Sequence, residues 1–151
     1  MAWTKAKLRQ ILADLDASKR YYALFEKRRA IDSEGIDPKA ALEEMTQLGF
    51  TYKKSDKFFR MAEESGNKSI ELHVALSPGI VELILNLKAD GQVAGGPLTV
   101  IAREIARESD PSFKYSPPSP LIPYATREDL REAVNFGIDL YSKAKDRLFS
   151  E

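Results

Sequence analysis

Apolar side chains recur along this chain with two different periods, and the changes of period divide it into segments. From Thr4 to about Ile31 they fall at Leu8, Ile11, Leu12, Leu15, Tyr22 and Phe25. Steps of three, four and seven mark one face of a single helix. Basic residues, among them Lys5, Arg9, Arg20, Lys27 and Arg28, occupy its other side. Asp37-Pro38 then gives an N-cap followed by proline in the first turn of a second helix. That helix sets Ala41, Leu42, Met45 and Leu48 on one face and stops at Gly49, which reads as a C-cap.

The period then drops to two. Ile70, Leu72, Val74 and Leu76 alternate with Glu71, His73 and Ala75, and Val81, Leu83, Leu85 and Leu87 alternate with Glu82, Ile84, Asn86 and Lys88. Such patterning predicts strands with one buried face. If Ser77-Pro78-Gly79-Ile80 is the turn, Leu76 faces Val81, Val74 faces Leu83, Leu72 faces Leu85 and Ile70 faces Leu87. Every apolar residue then meets another, as a half-buried hairpin requires. Pro-Gly is not a favoured two-residue hairpin turn, which predicts a wider loop here. Upstream, a turn at Ser65-Gly66-Asn67-Lys68 pairs Met61 with Leu72 and Phe59 with Val74, predicting a third strand.

Beyond the strands, Leu98, Ile101, Ala102 and Ile105 return to helical spacing up to Asp110-Pro111. Residues 111–123 hold five of the eight prolines, which excludes a helix there. This segment contains Pro-x-x-Pro twice, a docking pattern, but its aromatic and aliphatic residues point to an internal strap between two helices. Thr126 and Asp129 then form an N-capping arrangement for a final helix bearing Leu130, Val134, Gly137, Ile138, Tyr141 and Leu148 on one face. The predicted fold class is α+β. A three-stranded antiparallel meander over about 57–89 carries two N-terminal and two C-terminal helices, packed mainly on one face, in a single domain over 1–151.

Composition narrows the functional classes. The 151 residues are 43% apolar and 30% charged, ordinary for a globular protein and unlike a disordered one. The absence of cysteine excludes disulfides, thiolate metal sites and cysteine nucleophiles. No signal-peptide core or membrane-spanning run is present, so a cytoplasmic protein without a membrane partner is expected. The formal net charge is zero but unevenly spread. Residues 1–31 carry eight basic and three acidic side chains, residues 32–48 one and five, residues 49–60 four and one, and residues 61–151 ten and fourteen. The first helix is therefore a basic object on a mildly acidic body, and the acidic 32–48 segment is its expected neighbour.

Three stretches carry candidate chemistry. Gly91, Gly95 and Gly96 precede a helix, but the lysine of a phosphate loop and the spacing of a dinucleotide fingerprint are both missing. The stretch reads as turn punctuation, with Pro97 starting the helix and a residual anion option at its N-terminus. His73, the single histidine, is placed by the register beside Arg60 and Ile84, on a polar sheet face shared with Glu71, Glu82, Asn86 and Lys88. Phe58, Ile80 and Ile84 make that face partly apolar, ready to be covered by a helix or a partner. The basic helix, with Trp3, Tyr21 and Tyr22 nearby, offers phosphate contacts and stacking, although no nucleic-acid-binding motif accompanies it. No serine-nucleophile elbow, kinase or zincin motif occurs, and no cofactor or metal is expected.

The expected function is a small non-enzymatic protein-binding domain that recognises another protein through Phe58, Arg60, Glu71, His73, Glu82 and Ile84. Its general make-up, a small α+β domain without a catalytic signature, is similar to bacterial toxin-immunity proteins, a likeness that attaches to no particular residue. One alternative is a small-ligand, anion or enzymatic site at Gly95 and Gly96, with Lys88, Asn86 and Arg103 as its polar groups. A further alternative is nucleic-acid binding through Arg20, Lys27, Arg28 and Arg29.

Overall fold

The computed structural model of the chain describes residues 3–55 and 57–150. In chain order its elements are α1 (Lys5–Asp14), α2 (Ala17–Arg28), α3 (Pro38–Gln47), β1 (Thr51–Lys53), β2 (Phe58–Ser65), β3 (Lys68–Ser77), β4 (Ile80–Ala89), β5 (Gln92–Pro97), α4 (Leu98–Ser109), β6 (Ile122–Pro123) and α5 (Arg127–Phe149). Helices and an antiparallel sheet combine in an α+β fold.

The alternating segments pair as their apolar positions demand. Ile70 faces Leu87, Leu72 faces Leu85 and Leu76 faces Val81, while Phe59 and Met61 of β2 face Val74 and Leu72. The hairpin loop between β3 and β4 is tighter than expected, because Ser77 pairs directly with Ile80 across Pro78-Gly79. Gly79 takes φ +73°, and its carbonyl accepts a hydrogen bond from the Tyr124 amide at 2.9 Å. A long-range contact thus holds a turn that local preference alone disfavours.

The expected three-stranded meander is the centre of a larger sheet. Its order is β1-β2-β3-β4-β5, with β6 paired to β4 beside Ile80 and Val81. The added strands lack readable alternation, since β1 has three residues, β6 has two, and β5 reads Gln-Val-Ala-Gly-Gly-Pro. In β5 a Cβ on Gly95 would sit 2.2 Å from the Leu85 carbonyl oxygen. Glycine there serves close strand approach rather than a loop.

The two-helix N-terminal half is also corrected. The single helix expected from Thr4 to Ile31 breaks at Leu15–Asp16, where Asp16 takes φ +55°. Aspartate tolerates this left-handed conformation better than most residues. Most of the expected stripe stays buried, Leu8, Ile11 and Leu12 on α1 and Phe25 on α2, but past the break Tyr21 and Leu24 are buried in place of Tyr22. Arg20 closes the interruption by donating to the Leu15 carbonyl at 3.2 Å.

The buried faces meet in one core. Ile70, Leu72, Val74, Leu83, Leu85 and Leu87 form the sheet's inner face. α5 packs on it through Gly137, where an added Cβ would lie 3.3–3.4 Å from Leu83 and Leu72. A Thr126–Asp129 capping box starts α5, as the sequence predicts. The proline segment straps the helical side: Tyr21 donates to the Pro120 carbonyl at 2.6 Å, and Phe113 and Tyr115 pack against the Tyr22 ring. No helix among the described residues is long and apolar enough to cross a membrane.

Candidate functional site

The β2–β3–β4 registers bring the predicted sheet-face residues together. Arg60 pairs with His73, His73 with Ile84, Glu71 with Asn86 and Ala75 with Glu82. Glu71 is the centre of this face, and its carboxylate is almost wholly buried. Arg60 donates to both of its oxygens, from Nε and Nη2, each at 3.1 Å. His73 Nε2 lies 2.8 Å away and Lys88 Nζ 3.2 Å away. Burial alone raises the Glu71 carboxyl, but hydrogen bonds from Arg60, His73 and Lys88 outweigh it and hold the pKa at about 2. The His73 ring stacks on Phe58 with centroids 4.1 Å apart. The Arg60, Glu71, His73 and Lys88 side chains therefore satisfy one another within the sheet, while Glu82 and Asn86 on the same face form no side-chain hydrogen bond or ion pair among the described residues.

The predicted phosphate-binding cations are likewise engaged internally. Arg20 bridges Asp139 at 2.8 Å, Lys27 bridges Glu132 at 2.8 Å, and Arg29 bridges Glu26 at 2.6 Å. Arg28 is only 2% exposed; it bonds Glu132 and donates to the Pro123 carbonyl at 3.2 Å. Hydrogen bonds from Lys27 and Arg28 hold the Glu132 carboxyl below its usual range. Arg28 is thus an interior tie between α2 and α5 rather than a surface cation. Apart from Glu26 of α2 itself, the neutralising carboxylates come from α4 and α5, with Lys5 and Arg9 meeting Glu104. The acidic 32–48 segment instead turns Glu43 and Glu44 toward Arg127 and Arg131. Arg28→Met should therefore destabilise the protein by about 1–2 kcal/mol, by leaving the Pro123 carbonyl without its donor. Arg29→Ala, at the surface, should stay within about 0.5 kcal/mol. Thermal unfolding of the two variants side by side checks the difference.

Of the partners predicted for the glycine stretch, the β4–β5 register sets Asn86 opposite Gly95, but Lys88 and Arg103 are engaged elsewhere. Gly95 and Gly96 lie within β5, Lys88 is engaged by Glu71, and Arg103 donates to Ser119 Oγ at 2.9 Å. Among the described residues, no group of three or more His, Asp or Glu side chains is arranged to hold a metal ion.

A different site emerges at the far edge of the sheet. A groove of about 690 Å³ opens between α3, β1, the 34–37 loop and the β3–β4 turn. Ala41 and Leu42 of α3 line it together with Tyr52 of β1, Phe59 of β2, Leu76 of β3 and Tyr124. Its geometry follows from three local causes. Asp37 caps α3 by accepting from the Lys39 amide at 3.3 Å, which fixes the helix start. The pairing of Tyr52 with Phe59 turns both rings to the same side, with centroids 4.9 Å apart. The 33–35 loop crosses directly over Gly79, where a Cβ would fall 1.8 Å from the Ser33 carbonyl oxygen.

The groove corrects the sequence reading of α3. Leu42 was predicted on the core face, yet it is 47% exposed while Ala41, Glu44 and Met45 are buried. Tyr52 is 46% exposed. Neither residue was among the predicted site residues. An available signal was the Phe50–Tyr52 spacing of two immediately after Gly49, which is short-strand patterning. Leu42 itself carried no such signal, because its phase is that of a core position.

Compared with known proteins, the chain matches no family model, no curated protein and no solved structure.

Proposed function

We propose that this chain is a non-enzymatic protein-recognition domain that seats a segment of another protein in the groove between α3 and β1. One observation carries the reading: of the three large apolar side chains exposed among the described residues, Leu42 and Tyr52 converge on this groove. Single exposed apolar residues are ordinary, whereas exposed apolar residues gathered in a concave, polar-rimmed site mark recognition surfaces. The lining favours binding over chemistry, since its apolar walls predominate and Asp37 serves as the cap of its own helix. The polar sheet face and the basic helix face give weaker support, because most of their charged groups already hold one another.

Photo-crosslinking tests this directly. A benzophenone amino acid replacing Tyr52 in cells should yield a discrete adduct to another protein. The same group at Val93, 63% exposed on β5, should not. Leu42→Asp should remove the adduct while changing stability by no more than about 0.5 kcal/mol. Equal labelling from Tyr52 and Val93 positions, or an adduct indifferent to Leu42→Asp, would count against the groove.

A further inference from the structure

We infer that the groove's occupant is an extended, acidic segment of the partner that adds as a strand to the free edge of β1. The inference rests on the groove being the recognition surface and goes further, by specifying the backbone form and charge of what binds.

β1 is a terminal strand of the sheet, hydrogen-bonded to β2 alone, and all three of its residues are exposed. A terminal strand presents backbone N–H and C=O groups to whatever lies beside it. An arriving strand satisfies those groups and directs alternate side chains to one side. That side is set by Tyr52, which faces with Phe59 into the groove. An apolar residue of the arriving strand therefore meets Leu42, Tyr52 and Phe59. A helix laid in the same groove fills it but leaves the β1 edge without partners.

Charge selects the sequence. Lys53, Lys54 and Lys57 stand on β1 and the turn that follows it, and none forms an ion pair with a described residue. In sequence the 53–57 segment also contains Asp56, which lies outside the described residues, and Glu34 and Asp37 line the groove from the 34–37 loop. The net basic charge therefore belongs to the segment beside the β1 edge and not to the groove lining as a whole. These lysines differ from Lys5, Arg9, Arg20, Lys27 and Arg28 of α1 and α2, which are paired internally. Lysine on an edge strand discourages pairing with a like edge, and two copies meeting at β1 would bring both sets of lysines to one seam. An acidic strand meets the opposite situation, with attraction that salt weakens.

Selection from a phage library of random twelve-residue peptides on the intact chain tests the inference. Leu42→Asp, Tyr52→Ser and a Lys53→Glu/Lys54→Glu/Lys57→Glu variant run in parallel, each first shown to unfold at the wild-type temperature. Any variant that fails this check is replaced by its neighbour at the same wall. Enriched peptides should alternate apolar residues at period two and carry Asp or Glu. Their affinity should fall at least tenfold on the lysine reversal and on either groove substitution. Peptides that depend on Leu42 and Tyr52 but show helical spacing, or that ignore the lysine reversal, overturn the strand inference and leave the groove standing. Absence of enrichment, or peptides indifferent to both groove substitutions, overturns the groove reading and the inference together.

Discussion

Replacing Gly79 with alanine is expected to destabilise the protein by roughly 3 kcal/mol or more, far beyond the usual effect of one added methyl group. Two costs combine. Gly79 sits at φ +73°, where an L side chain costs about 1–2 kcal/mol. Its Cβ would also fall 1.8 Å from the Ser33 carbonyl oxygen and 2.9 Å from the Ser33 carbonyl carbon. Those atoms are backbone, so no side chain can rotate away; relief requires the 33–35 loop to lift from the turn. Overpacking of this kind costs about a further 1–3 kcal/mol. Gly66, in the β2–β3 turn, isolates the first contribution: it has φ +62° and nothing within 4 Å of an added Cβ. Gly66→Ala should therefore cost only about 1–2 kcal/mol. Urea unfolding of both variants at constant slope decides the matter. If Gly79→Ala fell within 1 kcal/mol of Gly66→Ala, the loop crossing would not be close-packed.

The same crossing explains why the groove matters to a reading of function. Glu34, Gly35 and Ile36 line it from the loop, and Ser77 and Pro78 line it from the turn that Gly79 completes. A lifted loop opens that wall, so Gly79→Ala should weaken any groove ligand beyond its effect on stability. Gly66→Ala, distant from the groove lining, should leave binding unchanged.

What the sequence disclosed and what it concealed divide along physical lines. The β3–β4 register was readable because large apolar residues recur at every second position, Ile70 to Leu76 in β3 and Val81 to Leu87 in β4, and a slip by one would turn these leucines to solvent. β1 and β6 were not readable with any security, because strands of three and two residues span at most a single alternation, such as Phe50–Tyr52. The gathering of Arg60, Glu71, His73 and Lys88 on one face followed from that register. The near-complete burial of Glu71 did not, since it arises from the long side chains of β2 and β4 closing over β3. The groove was hidden for a further reason. Its walls come from residues 34–38, 41, 42, 52, 57, 59, 76–78 and 124, and they meet only where Gly35 and Gly79 allow two backbones to cross. Leu42 shows the consequence: helical phase predicted burial, but among the described residues none covers it fully.

The second large effect concerns the buried carboxylate, and relative exposure decides which substitution costs more. Glu71 has 3% of its side chain exposed, whereas Arg60 has 25% and Lys88 46%. In Glu71→Gln the cations can turn to water, so the loss should be about 1 kcal/mol. In Arg60→Met the carboxylate stays buried with only Lys88, His73 and Ser69 near it. Removing one partner of a fully buried pair costs about 3–5 kcal/mol; the remaining donors should reduce this to about 2–3 kcal/mol. Acid provides the control. The folded-state pKa of about 2 lies below the ordinary glutamate value, so ionised Glu71 stabilises the fold fully above about pH 5. That contribution is lost progressively as the pH falls through the folded pKa. Partial solvation of Arg60 and Lys88 limits the contribution to about 1–2 kcal/mol. In Arg60→Met the carboxyl pKa moves back up, and less stability remains to be lost in acid. The gap between wild type and Arg60→Met should therefore narrow by about 1 kcal/mol, from about 2–3 kcal/mol at pH 6 to about 1–2 kcal/mol near pH 2.5. Urea unfolding at the two pH values measures it, and a gap that stayed constant would mean that the Arg60 contribution is packing of its stem rather than charge on Glu71.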